Sequence, residues 1–106
     1  MNPLTIEKLQ QYLKERYPFD SKASHSLFMK LVEEVGEVAE AINVMDGRKI
    51  DSKDTSLEKE LVDVIHYTVA IACLNDIDLT KAIIEKDKIA SIKYNHSVNL
   101  EDFLKK

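Results

Sequence analysis

Hydrophobic residues recur at helical spacing along most of the chain, and this pattern predicts four helices. The first is predicted to begin at Asn2-Pro3, with Asn2 as the N-cap and Pro3 at the first helical position, and to end near Arg16. The segment Tyr17-Pro18-Phe19-Asp20 ends this helix, because the residue before a proline is pushed out of the helical region.

A long second helix is predicted from Ser24 to about Met45. Gly47 follows it and fits the left-handed conformation that glycine often adopts past a helix end. Residues 48–55 are polar and lack periodicity, so we interpret them as an exposed, mobile loop. Such a loop could close over a substrate, although most surface loops have no such role.

Two further helices are predicted from their caps. Thr55 followed by Glu58 fits a capping box, so the third helix begins there and runs to about Leu74. Asp78 is a good N-cap for a fourth helix over residues 79–94. The tail that follows is expected to add no more than one further turn.

These elements predict an all-α fold, an antiparallel four-helix bundle, because the connections are short except for the loop at 48–55. The length of the chain, residues 1–106, is that of a single domain. Its apolar positions, among them Leu27, Phe28 and Ile65, exceed what one small bundle can cover. We therefore expect oligomerisation, as a homodimer or a dimer of dimers.

Two acidic motifs lie beside the apolar stripes of the second and third predicted helices. Glu34 and Glu37 lie one turn apart in the second helix, and Glu60 and Asp63 repeat this spacing in the third. Asp63 is the only carboxylate in residues 61–74, LVDVIHYTVAIACL, and burying an unpaired carboxylate is costly. A divalent cation such as Mg²⁺ or Mn²⁺ would compensate the charge. The alternative is a solvated face, as for most helical glutamates.

Composition narrows the classes of partner. The net charge is −4 and no basic cluster is present, which argues against duplex nucleic acid. Cys73, the one cysteine, lies in the most apolar run and is interpreted as a small core residue. No signal pattern and no apolar run of transmembrane length is present, so we expect a cytoplasmic protein without membrane contact.

The order of these segments resembles the MazG-like, all-α nucleoside triphosphate pyrophosphohydrolases. LVEEVGEVAEAI is followed after a loop by ELVDVIHYTVAIA and IDLTKAIIEK, and the family pattern is EExxE, a spacer and ExxD. The resemblance covers roughly residues 24–90. It implies magnesium-dependent cleavage of a nucleoside triphosphate between its α and β phosphates, which yields a nucleoside monophosphate and pyrophosphate.

The resemblance also implies roles for the acidic residues. Glu33 matches the leading acid of the first motif, which would bind a second metal or orient the attacking water as a catalytic residue. Carboxylate-held magnesium, with manganese as a substitute, would neutralise the phosphate oxygens. The metal ligands of the family match Glu34, Glu37, Glu60 and Asp63.

Four further residues are candidate substrate contacts. Tyr67 lies one turn after the last acid, where similar proteins place an aromatic against the nucleotide, but a half-buried core tyrosine fits the same pattern. His25 lies in PFDSKASHSL, which resembles the PWD and THESL elements of some relatives, although its spacing to the acidic motif differs. Lys86 and Lys88 could reach a phosphate, yet the asparagine that relatives carry shortly afterwards is absent until Asn95.

Two other classes of protein fit parts of the pattern. A di-iron carboxylate bundle requires a Glu-x-x-His motif from each of two helices, and only Asp63 to His66 approximates one. A catalytically inactive relative would keep the bundle and bind a nucleotide or a partner. Nothing in the sequence identifies the base or the sugar.

Overall fold

All the regular secondary structure is helical in the part of the chain, residues 2–47 and 56–106, that the computed structural model describes. This confirms the all-α prediction. The predicted loop at 48–55, with Thr55 of the predicted capping box, lies outside the described residues. The helices are α1 (Ile6–Lys14), α2 (Ser24–Met45), α3 (Leu57–Leu74), α4 (Leu79–Lys93) and the short α5 (Leu100–Leu104), with a 3-10 turn, Ser21–Ala23, before α2.

The start of α1 differs from the prediction. The helix begins at Ile6, and its N-cap is Thr5. The Thr5 hydroxyl accepts a hydrogen bond of 3.1 Å from the amide of Lys8, with the Thr5 backbone extended. This bond satisfies one of the amides that a helix start leaves without an intrahelical partner. The predicted start at Asn2-Pro3 is therefore wrong.

Helices α2 and α3 form an antiparallel pair, with the beginning of one beside the end of the other. The Asn75 side-chain amide donates to the Ser24 hydroxyl at 2.8 Å. The backbone N–H of Asp20, just before α2, donates to the carbonyl of Leu74 at 2.9 Å. The limits of α2 are those predicted, and α3 also ends at the predicted residue.

Two predicted boundary residues are confirmed. Gly47 follows α2 with φ of 72°, the left-handed region in which glycine avoids the clash of a side chain. The Asp78 carboxylate accepts a hydrogen bond of 3.1 Å from the Lys81 amide and so caps α4. Helix α4 ends at Lys93, one residue earlier than predicted.

A cluster of buried side chains lies between α1 and α3. Leu13, Val69 and Cys73 are each 2% exposed and form one cluster. The Cys73 thiol donates to the carbonyl of Gln10 at 3.6 Å, which confirms the cysteine as a core residue. Further contacts to this cluster come from Leu9, Tyr17 and Leu79.

A buried glutamine fixes α4 relative to α1. The Gln10 side chain is 5% exposed; it donates to the carbonyl of Ile77 and accepts from the amide of Leu79 at 3.1 Å. Helix α4 therefore packs against α1, while α2 packs mainly against α3. None of the helices in the described ranges is long and apolar enough to cross a membrane.

Candidate metal centre

Three carboxylates meet where α2 packs on α3. Glu34 of α2 and Glu60 and Asp63 of α3 each place one oxygen within 4.8 Å of the other two. The i, i+3 spacing puts Glu60 and Asp63 on one side of α3, and antiparallel packing brings Glu34 opposite them. Glu34 and Glu60 are half-buried. The structure thus brings together three of the four predicted metal ligands, and we call them the carboxylate cluster.

The environment of the cluster raises the pKa of the Glu34 carboxyl to about 7, from an ordinary value of 4.5. Partial burial is the largest cause, because it disfavours the charged form. A hydrogen bond with the Glu60 carboxyl and the negative charges of Asp63, Glu60 and Glu33 add to it. Near neutral pH the Glu34 carboxyl is therefore protonated for part of the time, whereas an ordinary glutamate is ionised.

The donor set of the cluster fits a hard divalent cation. All three ligands are carboxylate oxygens, the type that Mg²⁺ and Mn²⁺ prefer. A cation here would replace the proton and offset the mutual repulsion of the carboxylates. The cluster contains no histidine among the residues described, in contrast to the Glu-x-x-His ligands of a di-iron bundle.

The other two acids of the first motif lie next to the cluster without joining it. Glu37 is half-buried one turn further along α2, and its oxygens do not lie within 4.8 Å of all three clustered carboxylates. The Glu33 side chain is 62% exposed, with an oxygen 3.8 Å from the Lys30 ammonium. The metal role of Glu37 and the catalytic role of Glu33 remain predictions.

The candidate substrate contacts on α2 and α3 lie at different distances from the cluster. Tyr67 is half-buried and lies one turn after Asp63 on α3. His25 is exposed in the first turn of α2, nine residues before Glu34. At about 1.5 Å per residue, that separation is about 13 Å along the helix axis. Tyr67 is thus close to the cluster, whereas His25 is more than two turns away.

The two candidate lysines lie on α4, which packs against α1 and α5. The Lys88 ammonium is 2.8 Å from a carboxylate oxygen of Glu101, and Lys86 is exposed. A groove of about 570 Å³ between α1 and α4 includes Lys88 but none of the clustered carboxylates. Phosphate contact by either lysine remains a prediction.

A hydrogen bond near the cluster was not predicted from the sequence. The Tyr17 hydroxyl lies 2.9 Å from Nε2 of His66, and the two residues are 49 positions apart. From the sequence, Tyr17 is predicted only as part of a helix end, and His66 only completes an approximate Glu-x-x-His motif. A contact between positions so far apart has no local sequence signal.

Comparison with known proteins shows the family to which the chain belongs. The sequence matches the family model of the MazG nucleotide pyrophosphohydrolase domain over residues 22–91. The chain belongs to the MazG family. All three clustered carboxylates lie within the matched region, whereas Tyr17 lies before it. A comparison with curated proteins finds no match.

Two solved MazG structures are similar to this chain. The crystal structure of iMazG from Vibrio DAT 722 in its Ntag form has 31% sequence identity and a TM-score of 0.67, and the match covers 88% of this chain and 100% of that one. The Ctag form has 29% identity and a TM-score of 0.66, with 83% and 99% covered. The fold and the family are therefore supported by both sequence and structure.

Proposed function

We propose that this protein is a magnesium-dependent nucleoside triphosphate pyrophosphohydrolase that cleaves its substrate between the α and β phosphates. The observation that carries the proposal is the carboxylate cluster of Glu34, Glu60 and Asp63, three ligand oxygens within 4.8 Å of one another in a MazG domain. Like charges held so close, with a pKa of about 7 at Glu34, favour a cation.

The clustered side chains would hold Mg²⁺, or Mn²⁺ in its place, with Glu37 as a fourth predicted ligand. A bound divalent ion neutralises charge on the phosphate oxygens and assists attack by water. Glu33, exposed beside the cluster, would orient the attacking water and accept its proton. The water oxygen forms a new bond to phosphorus as one bond of the α–β bridging oxygen breaks, and pyrophosphate and a nucleoside monophosphate result.

The direct test is product analysis with a panel of canonical and modified nucleoside triphosphates. We expect equal amounts of nucleoside monophosphate and pyrophosphate with magnesium, and neither product with excess chelator. Release of nucleoside diphosphate and phosphate would contradict the proposed cleavage position. A protein that binds the nucleotide with magnesium but releases no product would support the alternative, a catalytically inactive MazG relative.

We also propose that two copies of the chain associate through α2. Phe28, Val32, Val35 and Ile42 follow one another at helical spacing, and each is between 43% and 52% exposed although α2 packs on α3. An apolar stripe of this length costs free energy in water, and a symmetric copy is the common way to cover one.

Light scattering tests this association. We expect the parent to be a dimer or a dimer of dimers at tens of micromolar, and Val32→Lys to reduce the mass because it places a charge in the stripe. Ile92→Lys is the control, since Ile92 on α4 is 82% exposed and lies outside the stripe. A parent that is monomeric at these concentrations would contradict the proposal.

A further inference from the structure

The aromatic side chain of Tyr17 connects the segment between α1 and α2 with the middle of α3. The Tyr17 ring packs against the buried cluster of Leu13, Val69 and Cys73, so the core holds its position. From there its hydroxyl lies 2.9 Å from Nε2 of His66, a half-buried residue of α3. This bond constrains a histidine only three residues after Asp63.

The His66 ring makes T-shaped contacts with two tyrosine rings. The centroids of Tyr17 and His66 are 5.6 Å apart with 75° between the ring planes, and those of His66 and Tyr67 are 4.9 Å apart at 86°. Such T-shaped contacts are favourable arrangements of aromatic rings and restrict rotation. The orientation of Tyr67 is therefore coupled to the hydrogen bond between Tyr17 and His66.

Tyr67 follows the two clustered carboxylates of α3 along the helix. At about 100° per residue, it lies on the same side of α3 as Glu60 and Asp63, about one turn of the helix beyond Asp63. Aromatic rings bind nucleobases by stacking, and the interaction requires a defined ring orientation. A ring one helical turn beyond Asp63 is suitably placed to meet the base of a nucleotide whose phosphates lie at the cluster.

We propose that the Tyr17–His66 hydrogen bond positions the Tyr67 ring to stack on the base of a nucleotide whose phosphates lie at the carboxylate cluster. This inference rests on the proposed function for the presence of a nucleotide, but it concerns binding of the base rather than hydrolysis. Tyr17 and His66 are positioning residues, and Tyr67 is the residue that touches the ligand.

Two ligands separate base binding from phosphate binding. Non-hydrolysable α,β-methylene nucleoside triphosphates of the four common bases contain both a base and a triphosphate chain. Inorganic tripolyphosphate contains the phosphates but no base. Binding of each is measured by calorimetry with magnesium, for the parent and for Tyr17→Phe, which removes only the hydroxyl. Tyr17→Phe should weaken binding of the preferred nucleotide analogue about 2- to 12-fold, the factor that corresponds to the net free energy of one typical hydrogen bond. Binding of tripolyphosphate should be unchanged.

Matched variants distinguish positioning from folding. His66→Gln keeps a group that can hydrogen-bond to the Tyr17 hydroxyl, so it should bind the analogue more tightly than His66→Leu. Tyr67→Phe keeps the stacking ring and should bind like the parent, whereas Tyr67→Leu should weaken binding of the analogue alone. Tyr12→Phe is the control, because Tyr12 is 72% exposed on α1.

The inference is overturned if Tyr17→Phe weakens both ligands equally, or weakens neither while lowering the melting temperature, since the bond then serves folding alone. It is also overturned if the parent binds none of the four analogues. A parent that binds an analogue in a Tyr17-dependent way but releases no pyrophosphate from nucleoside triphosphates would support the inference and contradict the proposed hydrolysis.

Discussion

Carboxylates on the α2–α3 side of the molecule and on the α4–α5 side have opposite environments. At the carboxylate cluster, Glu34 faces other acids and its pKa is raised to about 7. Between α4 and α5, Glu101 lies 2.8 Å from the Lys88 ammonium and 3.7 Å from that of Lys105, and the pKa of its carboxyl is lowered. The Lys88 pKa is raised in turn, chiefly by its hydrogen bond with Glu101.

The difference separates acids that have a partner within the chain from acids that face one another. Asp87 accepts a 2.6 Å hydrogen bond from the Leu100 amide, so it too has a partner within the chain. In the ranges that the structure describes, no salt bridge reaches Glu34 or Asp63. The α4–α5 acids have favourable partners in the chain as it stands, whereas the clustered acids repel one another when all of them are ionised.

The largest effect is expected from removing one charge of the cluster. Asp63→Asn keeps the size of the side chain, and we expect it to reduce magnesium-dependent pyrophosphate release by at least about 100-fold, because a lost ligand weakens both metal binding and charge neutralisation. Without metal its melting temperature should equal or exceed that of the parent, since a repulsive charge is gone. Turnover and thermal melting are measured together.

The control for this variant is Glu58→Gln, which also removes one acid from α3. Glu58 is exposed in the first turn of the helix and lies outside the cluster. It should keep activity within a few-fold of the parent. If Asp63→Asn melts far below the parent, Asp63 stabilises the fold through a partner cation, and the contrast with Glu101 fails.

Magnesium should raise the melting temperature of the parent. If magnesium binds only the folded state, a free magnesium concentration of 100 times Kd raises the free energy of unfolding by about 2.7 kcal/mol. For a chain of this size, that corresponds to an increase in melting temperature on the order of 10 °C. The measurement is a melt with magnesium chloride against sodium chloride of equal ionic strength. The same shift in Asp63→Asn would show that the ion binds elsewhere.

The two regions should also respond to pH with opposite sign. The unfolded Glu34 carboxyl ionises near 4.5 while the folded one keeps its proton up to about 7, so metal-free stability falls as pH rises between these values. Glu101, whose pKa is lowered, contributes stability above 4.5 that is lost as the pH falls through its folded pKa.

The predicted fall in stability with rising pH is tested by thermal melting of the metal-free protein between pH 5 and pH 8. We expect the melting temperature to fall by a few degrees across this range and Glu34→Gln to flatten the decline, because glutamine does not titrate. A parent that becomes more stable from pH 5 to pH 7, with no change in Glu34→Gln, would contradict the assigned pKa of Glu34.

The smallest effect is expected from Lys88→Ala. An exposed ion pair contributes little, so the melting temperature should change by no more than a few degrees, and turnover should be unchanged. Steady-state kinetics decides between this expectation and the phosphate contact suggested by the family resemblance. A large increase in KM would assign Lys88 to substrate binding. It would then contradict the view that the α4–α5 side has no role in binding the substrate.

The spacing of the cluster was predictable from the sequence because it is set within single helices. The i, i+3 separation of Glu60 and Asp63 follows from helical geometry, and the limits of α2 follow from its apolar period and from Gly47. These features depend on residues a few positions apart, where local rules apply.

The remaining features depend on contacts between distant segments. Glu37 has the same spacing to Glu34 as Asp63 has to Glu60, and only the packing of α2 on α3 leaves it outside the cluster. The bond between Tyr17 and His66 spans 49 positions. These outcomes are set by how the helices pack, which the period of one helix does not encode.

The most direct test of the account is calorimetric titration of magnesium into the metal-free parent and Asp63→Asn at pH 6.5, in two buffers with different heats of ionisation. At this pH, Glu34 holds its proton for much of the time, so binding of the ion at the cluster must release it. We predict saturable binding by the parent, a heat that changes with the buffer because a fraction of a proton is released per ion, and a large loss of affinity in Asp63→Asn. Binding that is equally tight in both proteins, or that releases no proton, would contradict a metal centre formed by Glu34, Glu60 and Asp63.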